Sequence, residues 1–183
     1  MNEELDQADL AGRLDRLEAF EEIRDLPARY AVAYGSLDME ALTTAYVDDI
    51  RSGDATGRAA LQARMETGNQ GPRGVRLAIL HVGTHLIDLR DDGTATGSVY
   101  CRAEVERADG AWFQQAIHYG DQYVRHDGRW LFTRQRRHEL FYGVVTGDRP
   151  NRLPPAEWPA NDVGRGTLPD RWSTWAAFHE PSR

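Results

Sequence analysis

Two histidines four positions apart, His81 and His85 in the run LHVGTH, open three chemical readings: a shared metal ion, a catalytic base, or a polar group satisfied inside the core. On one face of a helix such a pair can grip a single ion. The segment that carries them reads as a strand, where a rise of about 3.3 Å per residue separates them by about 13 Å. They therefore cannot ligate the same ion. Cys101 is the only cysteine and no tight cluster of histidines and acids occurs elsewhere, so no protein-bound metal is expected. His81 stands between Leu80 and Val82 and shares a face with Leu77 and Ile79. It is either a neutral core histidine held by one hydrogen bond or a general base, for which an ordinary pKa of about 6.5 is well suited.

Other residues have chemistry to offer. Tyr30 and Tyr34 lie one helical turn apart on one face, where their phenols can donate to a substrate oxygen or simply fill a core. His118 shares an alternating face with Trp112, Gln114 and Ala116, as a second acid/base or a buried polar group. The run RQRRHE, Arg134 to Glu139, is the sharpest charge cluster. Alternation sends Arg134, Arg136 and His138 to one side of a strand and Gln135, Arg137 and Glu139 to the other. An inward arginine would hold a carboxylate or enolate oxygen; an outward one would be solvated. Gln135 and Arg137 are taken as the binding candidates.

The elements that must position these groups follow from periodicity. Leu10, Leu14, Leu17, Phe20, Ile23, Leu26, Tyr30 and Tyr34 recur every three or four residues, which predicts a long helix with a kink or restart at Pro27 and a stop at Gly35. Asp38 is placed to cap a second helix, Met39 to about Val47, and residues 57–65 read as a short third. GNQGPRG, residues 68–74, marks a loop. Beyond it, Val75 to Arg90, Thr94 to Arg107, Ala111 to Arg125 and Arg129 to about Tyr142 are strand candidates separated by DDG, ADG and HDG hairpin turns. Helices followed by an antiparallel meander make an α+β domain.

The 183 residues, 40% hydrophobic, suit one core rather than two. A net charge of −7 gives no attraction to nucleic acid or an anionic membrane. The acidic start MNEELDQADL lacks the features of a secretory signal, and a cytoplasmic protein is expected. The first nine residues are expected to be disordered and residues 1–147 to form the domain. Residues 148–183, rich in proline and tryptophan, form an extension that docks Trp158, Trp172, Trp175 and Phe178 on this domain or on a neighbouring subunit.

The succession RLEAFEEIRDLPARYAVAYGSLDMEALTTAYVDD, GRAAL, LHVGTHLIDL, ATGSVYCRAEV, DQYVRHDGRWLF and TRQRRHEL resembles the SnoaL-like branch of the nuclear transport factor 2-like superfamily. That branch includes scytalone dehydratase, hexachlorocyclohexane dehydrochlorinase and bile-acid dehydratases. The resemblance runs from about Leu14 to Tyr142 and implies a cone-shaped α+β barrel around an apolar pocket. It also implies cofactor-independent proton transfer on a cyclic, polyketide- or steroid-like substrate, as dehydration, isomerisation or cyclisation, and a homo-oligomer. His81 falls on the position of the family's basic histidine. The aspartate that orients that histidine falls on Gly35, so the dyad is broken, and a pocket that binds without turnover is the competing expectation. Tyr34 falls where a tyrosine helps to bind a substrate-activating water, and Glu104 where some members place an acid. Tyr100 joins Glu104, His118, Gln135 and Arg137 as a substrate-binding candidate; His81, Tyr34 and Tyr30 are the catalytic candidates.

Overall fold

The computed structural model describes residues 2–134, 136–147, 152–157, 159–161 and 163–180. Helix α1 spans Asn2–Gly35 and continues through Pro27 without a restart. Leu10, Leu14 and Leu17 are exposed, and packing begins at Ala19, so only the second half of the periodic stripe meets the core. Two side chains tie α1 to the sheet: Asp15 pairs with Arg125 at 2.8 Å, and Glu22 accepts from the backbone N–H of Trp130 at 3.2 Å.

Leu37 takes a positive φ of 53° to turn the chain out of α1. The Asp38 carboxylate then accepts from the Ala41 N–H at 2.9 Å and caps α2, Met39–Thr44. A two-residue ladder, β1 (Arg51–Ser52) with β2 (Ala55–Thr56), precedes α3, Arg58–Gly68. Arg58 anchors the start of α3 by donating through Nε to the Tyr46 carbonyl at 2.7 Å and pairing with Asp48 at 2.7 Å.

The remaining strands are β3 (Val75–Leu89), β4 (Thr94–Arg107), β5 (Trp112–His126), β6 (Arg129–Phe132) and β7 (Arg137–Val145), all antiparallel. The fold is α+β, with helices against a strongly curled half-barrel sheet in a cone-like arrangement. The expected fourth strand is split. β6 pairs with the far end of β5 and β7 with its near half, along the same edge. Between them the Thr133 N–H and hydroxyl both reach the Gln122 carbonyl, and the chain turns so that Arg136 enters the interior.

Alternation fixes which side chains face the helices. Val99, Cys101, Ala103 and Val105 of β4 and Ile117, Tyr119, Asp121 and Tyr123 of β5 are buried inward. In β3 the register slips between Val82 and His85, so the inward phase passes from Ala78, Leu80 and Val82 to His85, Ile87 and Leu89. α4, Ser173–His179, packs on the same body. Trp175 donates through Nε1 to the Arg76 carbonyl at 2.6 Å, and Thr174 donates to the Ser36 carbonyl at 2.9 Å. Trp172 and Phe178 pack against the helical core cluster, and Trp158 lies outside the described residues. Among the described residues no helix is long and apolar enough to cross a membrane.

Candidate active site

Inside the cone a chain of polar groups is sealed among aromatic rings. Arg136 and Asp121 form a two-pronged ion pair with both distances 2.9 Å, their side chains 3% and 0% exposed. Tyr123 donates to Asp121 Oδ2 at 3.0 Å, and His85 Nε2 lies 3.1 Å from the same phenol oxygen. Because the phenol proton is committed to the carboxylate, His85 must donate from Nε2, which leaves Nδ1 as a bare, buried lone pair without a described partner. Gly97 makes this possible: a Cβ there would stand 2.6 Å from the Tyr123 hydroxyl and 2.9 Å from His85 Nε2.

The guanidinium of Arg136 lies 3.8 Å from the Tyr119 ring centre and 5.1 Å from that of Tyr30, with Phe132 at 5.5 Å. Cation–π contact adds to the ion pair where water is excluded. Nη2 and Nε serve Asp121, whereas Nη1 is buried and has no partner among the described residues. That spare donor belongs to a side chain in the wall of a cavity of about 210 Å³ that Tyr30, Tyr46, Met65, Tyr119 and His138 also line. The volume is below the roughly 300–1,000 Å³ usual for drug-sized ligands, so it suits a small molecule of one or two rings. A larger cavity of about 390 Å³, between residues 164–170 and the outside of the sheet, has no histidine or tyrosine in its walls; its ionisable lining is Arg76, Glu106, Arg165 and Asp170.

Burial pushes the Tyr30 phenol well above its ordinary pKa, Tyr46 and Tyr119 add to this, and Arg136 opposes it. Tyr30 is therefore a donor at neutral pH. Burial works against the charge of Arg136, but the hydrogen bonds and charge of Asp121 more than offset it, and its pKa rises. His138, on the cavity rim with its ring 5.2 Å from that of Tyr119, has its pKa lowered by partial burial and then by Arg136. His85 is lowered to about 4, chiefly by burial, with Asp121 pulling the other way. Both imidazoles are neutral at pH 7, the form a base needs.

Residues 15–136 match the SnoaL-like domain, two-thirds of the chain. The chain belongs to the SnoaL-like family. No curated protein matches it in sequence. Among solved structures this SnoaL-like domain is similar to a type 2 hexachlorocyclohexane dehydrochlorinase, at 18% identity over 75% of this chain and 95% of that one, with a TM-score of 0.64. It is also similar to a putative scytalone dehydratase from Novosphingobium aromaticivorans, at 21% identity, 74% and 92% coverage and a TM-score of 0.60. At these identities the likeness is one of fold.

The structure brings only part of the expected site together. Tyr30 lines the cavity; Tyr34 stacks beside it, ring centres 6.0 Å apart, and donates its hydroxyl to Asn69 Oδ1 at 3.3 Å. His81 is a correction: it pairs with Arg102 on the outer face and is exposed, because it precedes the bulge that turns His85 inward. Tyr100, Glu104, His118 and Arg137 also lie on the outer face, in alternation with buried neighbours. Gln135 falls outside the described residues. Of the RQRRHE run, Arg136 and His138 look inward while Arg137 and Glu139 look outward, opposite to the choice of Arg137 as a binding group. Asp121 was missed, although a carboxylate at the apolar phase of Ile117, Tyr119 and Tyr123 is a legible signal. Gly35 is no site for an acid: a Cβ there would lie 2.9 Å from the Ala78 carbonyl oxygen.

Proposed function

We propose that this SnoaL-like domain is a cofactor-independent enzyme that moves a proton on a small, apolar, cyclic substrate carrying one oxygen function, with dehydration, isomerisation or cyclisation as the net result. The observation that carries this reading is Arg136, a lining residue of a small cavity rich in aromatic rings, whose buried Nη1 has no partner among the described residues. A carbonyl oxygen placed against that donor would be held in the ground state and held more strongly as it becomes an enolate, since the added charge meets a fixed cation. Tyr30 would donate a second hydrogen bond. His138 replaces His81 as the base: it sits on the rim, is neutral at pH 7, and has a neighbouring cation to stabilise the enolate rather than its own protonated form. Asp121 neutralises Arg136 and fixes its plane, with Tyr123 and His85 holding Asp121 in turn.

The competing reading, a pocket that binds without turnover, is supported by Gly35, where no acid can be fitted to orient a histidine. One experiment separates them. 2-Tetralone is a two-ring ketone with exchangeable α-hydrogens. In D2O the enzyme reading predicts catalysed loss of the α-proton NMR signals, abolished in Arg136→Met and in His138→Ala. Saturation transfer from protein to tetralone without exchange favours the binder. Neither transfer nor exchange removes the cavity as a site for this ligand class.

A further inference from the structure

The residues that the fold turns away from the cavity form a constellation of their own. On the outer face, Ser98 Oγ lies 2.7 Å from His118 Nε2, and His118 Nδ1 lies 3.1 Å from Glu139 Oε2. The three come from adjacent strands: Ser98 from β4, His118 from β5 and Glu139 from β7, with His118 directly opposite Glu139 in the ladder. The carboxylate on Nδ1 fixes the tautomer with the proton on that nitrogen, so Nε2 presents its lone pair to the serine hydroxyl. The hydrogen bond from His118 and the charge of Arg137 hold the Glu139 carboxyl below its ordinary pKa, so it is an anion at neutral pH.

Two further features surround this chain. Gly120 is the cross-strand partner of Ser98, and the Cβ it lacks would lie 3.2 Å from Arg137 Nε, so the Arg137 guanidinium occupies the space over Gly120 beside the serine. Next to it, Tyr100, Leu140 and Phe141 join His118 and Glu139 around a cavity of about 200 Å³, and Tyr100 meets His118 and Phe141 edge to face at 5.7 and 5.4 Å. An apolar wall, a hydroxyl with a base, an acid behind the base and a cation alongside are the parts of an acyl-transfer site.

We propose that Ser98, His118 and Glu139 form a second site that cleaves small esters with an apolar aryl or alkyl group. Ser98 Oγ attacks the ester carbonyl while His118 Nε2 takes its proton; Arg137 faces the developing oxyanion. The carbonyl carbon–alkoxy bond then breaks, and His118 returns the proton to the leaving alkoxide. Water attacks the acyl-serine, giving the carboxylic acid and free Ser98. Ester plus water becomes acid plus alcohol, with no other reactant.

The test is acylation by p-nitrophenyl acetate. The chain contains no lysine, so the usual competing amines are absent apart from the N-terminus. The expected result is release of p-nitrophenolate with an acetyl group, or a fluorophosphonate adduct, mapped to Ser98 by peptide mass spectrometry. Ser98→Ala loses the adduct, His118→Ala slows acylation by about 10²-fold or more, and tetralone exchange in the inner cavity stays at the wild-type rate in Ser98→Ala. An adduct on a tyrosine, Cys101 or the N-terminus instead of Ser98, or equal hydrolysis by wild type and Ser98→Ala, overturns the proposal. So does absence of any adduct on the wild-type protein, including the case where a second copy covers this face.

Discussion

Replacing Asp121 by Asn tests the buried heart of the cavity. The substitution keeps the side-chain shape but removes the charge opposite Arg136, and its amide NH2 presents a donor to a donor. Two charge-assisted hydrogen bonds of 2.9 Å are affected, each worth about 1.5–3 kcal/mol, in a place where neither side chain reaches solvent. Breaking a buried pair from one side costs about 3–5 kcal/mol, because the surviving charge is stranded. For a domain of this size that lowers Tm by roughly 10 °C. The double variant Asp121→Leu with Arg136→Met removes both charges. It should recover most of the stability, apart from about 1 kcal/mol for the acceptor that Tyr123 loses. The assay is guanidinium unfolding followed by tryptophan fluorescence and circular dichroism for wild type, Asp121→Asn, Asp121→Leu, Arg136→Met and the double. The predicted coupling exceeds about 2 kcal/mol, with exchange activity absent from the folded double variant. A loss below about 1 kcal/mol in Asp121→Asn, or additive losses in the double, would mean that Asp121 and Arg136 are not a coupled buried pair.

Further outcomes follow from the same structure. His85 is held at about pKa 4 against roughly 6.5 in the unfolded chain, so between those values the unfolded chain binds a proton that the folded one refuses, and stability falls as pH drops through this window. The full displacement corresponds to about 3 kcal/mol; because the ring is only half-buried, solvent screening leaves about 1–2, and urea titrations should show this slope shrinking in His85→Gln. Gly35→Asp should lower stability by about 1–3 kcal/mol without raising exchange, since its Cβ meets the Ala78 carbonyl at 2.9 Å; a gain in exchange rate would restore the broken-dyad idea. Trp175→Ala should cost about 3 kcal/mol in guanidinium unfolding, because it empties a buried indole site and frees the Arg76 carbonyl; an unchanged midpoint would show that α4 adds nothing to the domain.

Much of the architecture was legible because it rests on local chemistry. The Asp38 cap, the glycines of the three hairpin turns and the alternation of β4 and β5 are each written within a few residues. The candidate site was less legible because strand phase is a long-range property. A bulge after Val82 exchanges which histidine faces inward, and nothing in LHVGTH alone says that it occurs, although Gly83 allows it. The break between β6 and β7 acts in the same way on RQRRHE: reading residues 129–142 as one strand leaves the phase of Arg136 and Arg137 open, and the pairing of Arg136 with Asp121 decides it. Helical residues fared better, since Tyr30 keeps its face whatever the sheet does, yet Leu10, Leu14 and Leu17 of the same stripe stay exposed, and the contact there is the Asp15–Arg125 ion pair rather than apolar packing.

The central claim is that proton transfer occurs in the inner cavity, at Arg136 and His138, and not at His81. Exchange of tetralone α-hydrogens should be measured across pH 4–8 for wild type, His81→Ala and His138→Ala. His81→Ala should follow wild type. Both should lose rate only as pH falls through the lowered pKa of His138, and His138→Ala should be inactive throughout. Activity that survives in His138→Ala and disappears in His81→Ala would contradict it.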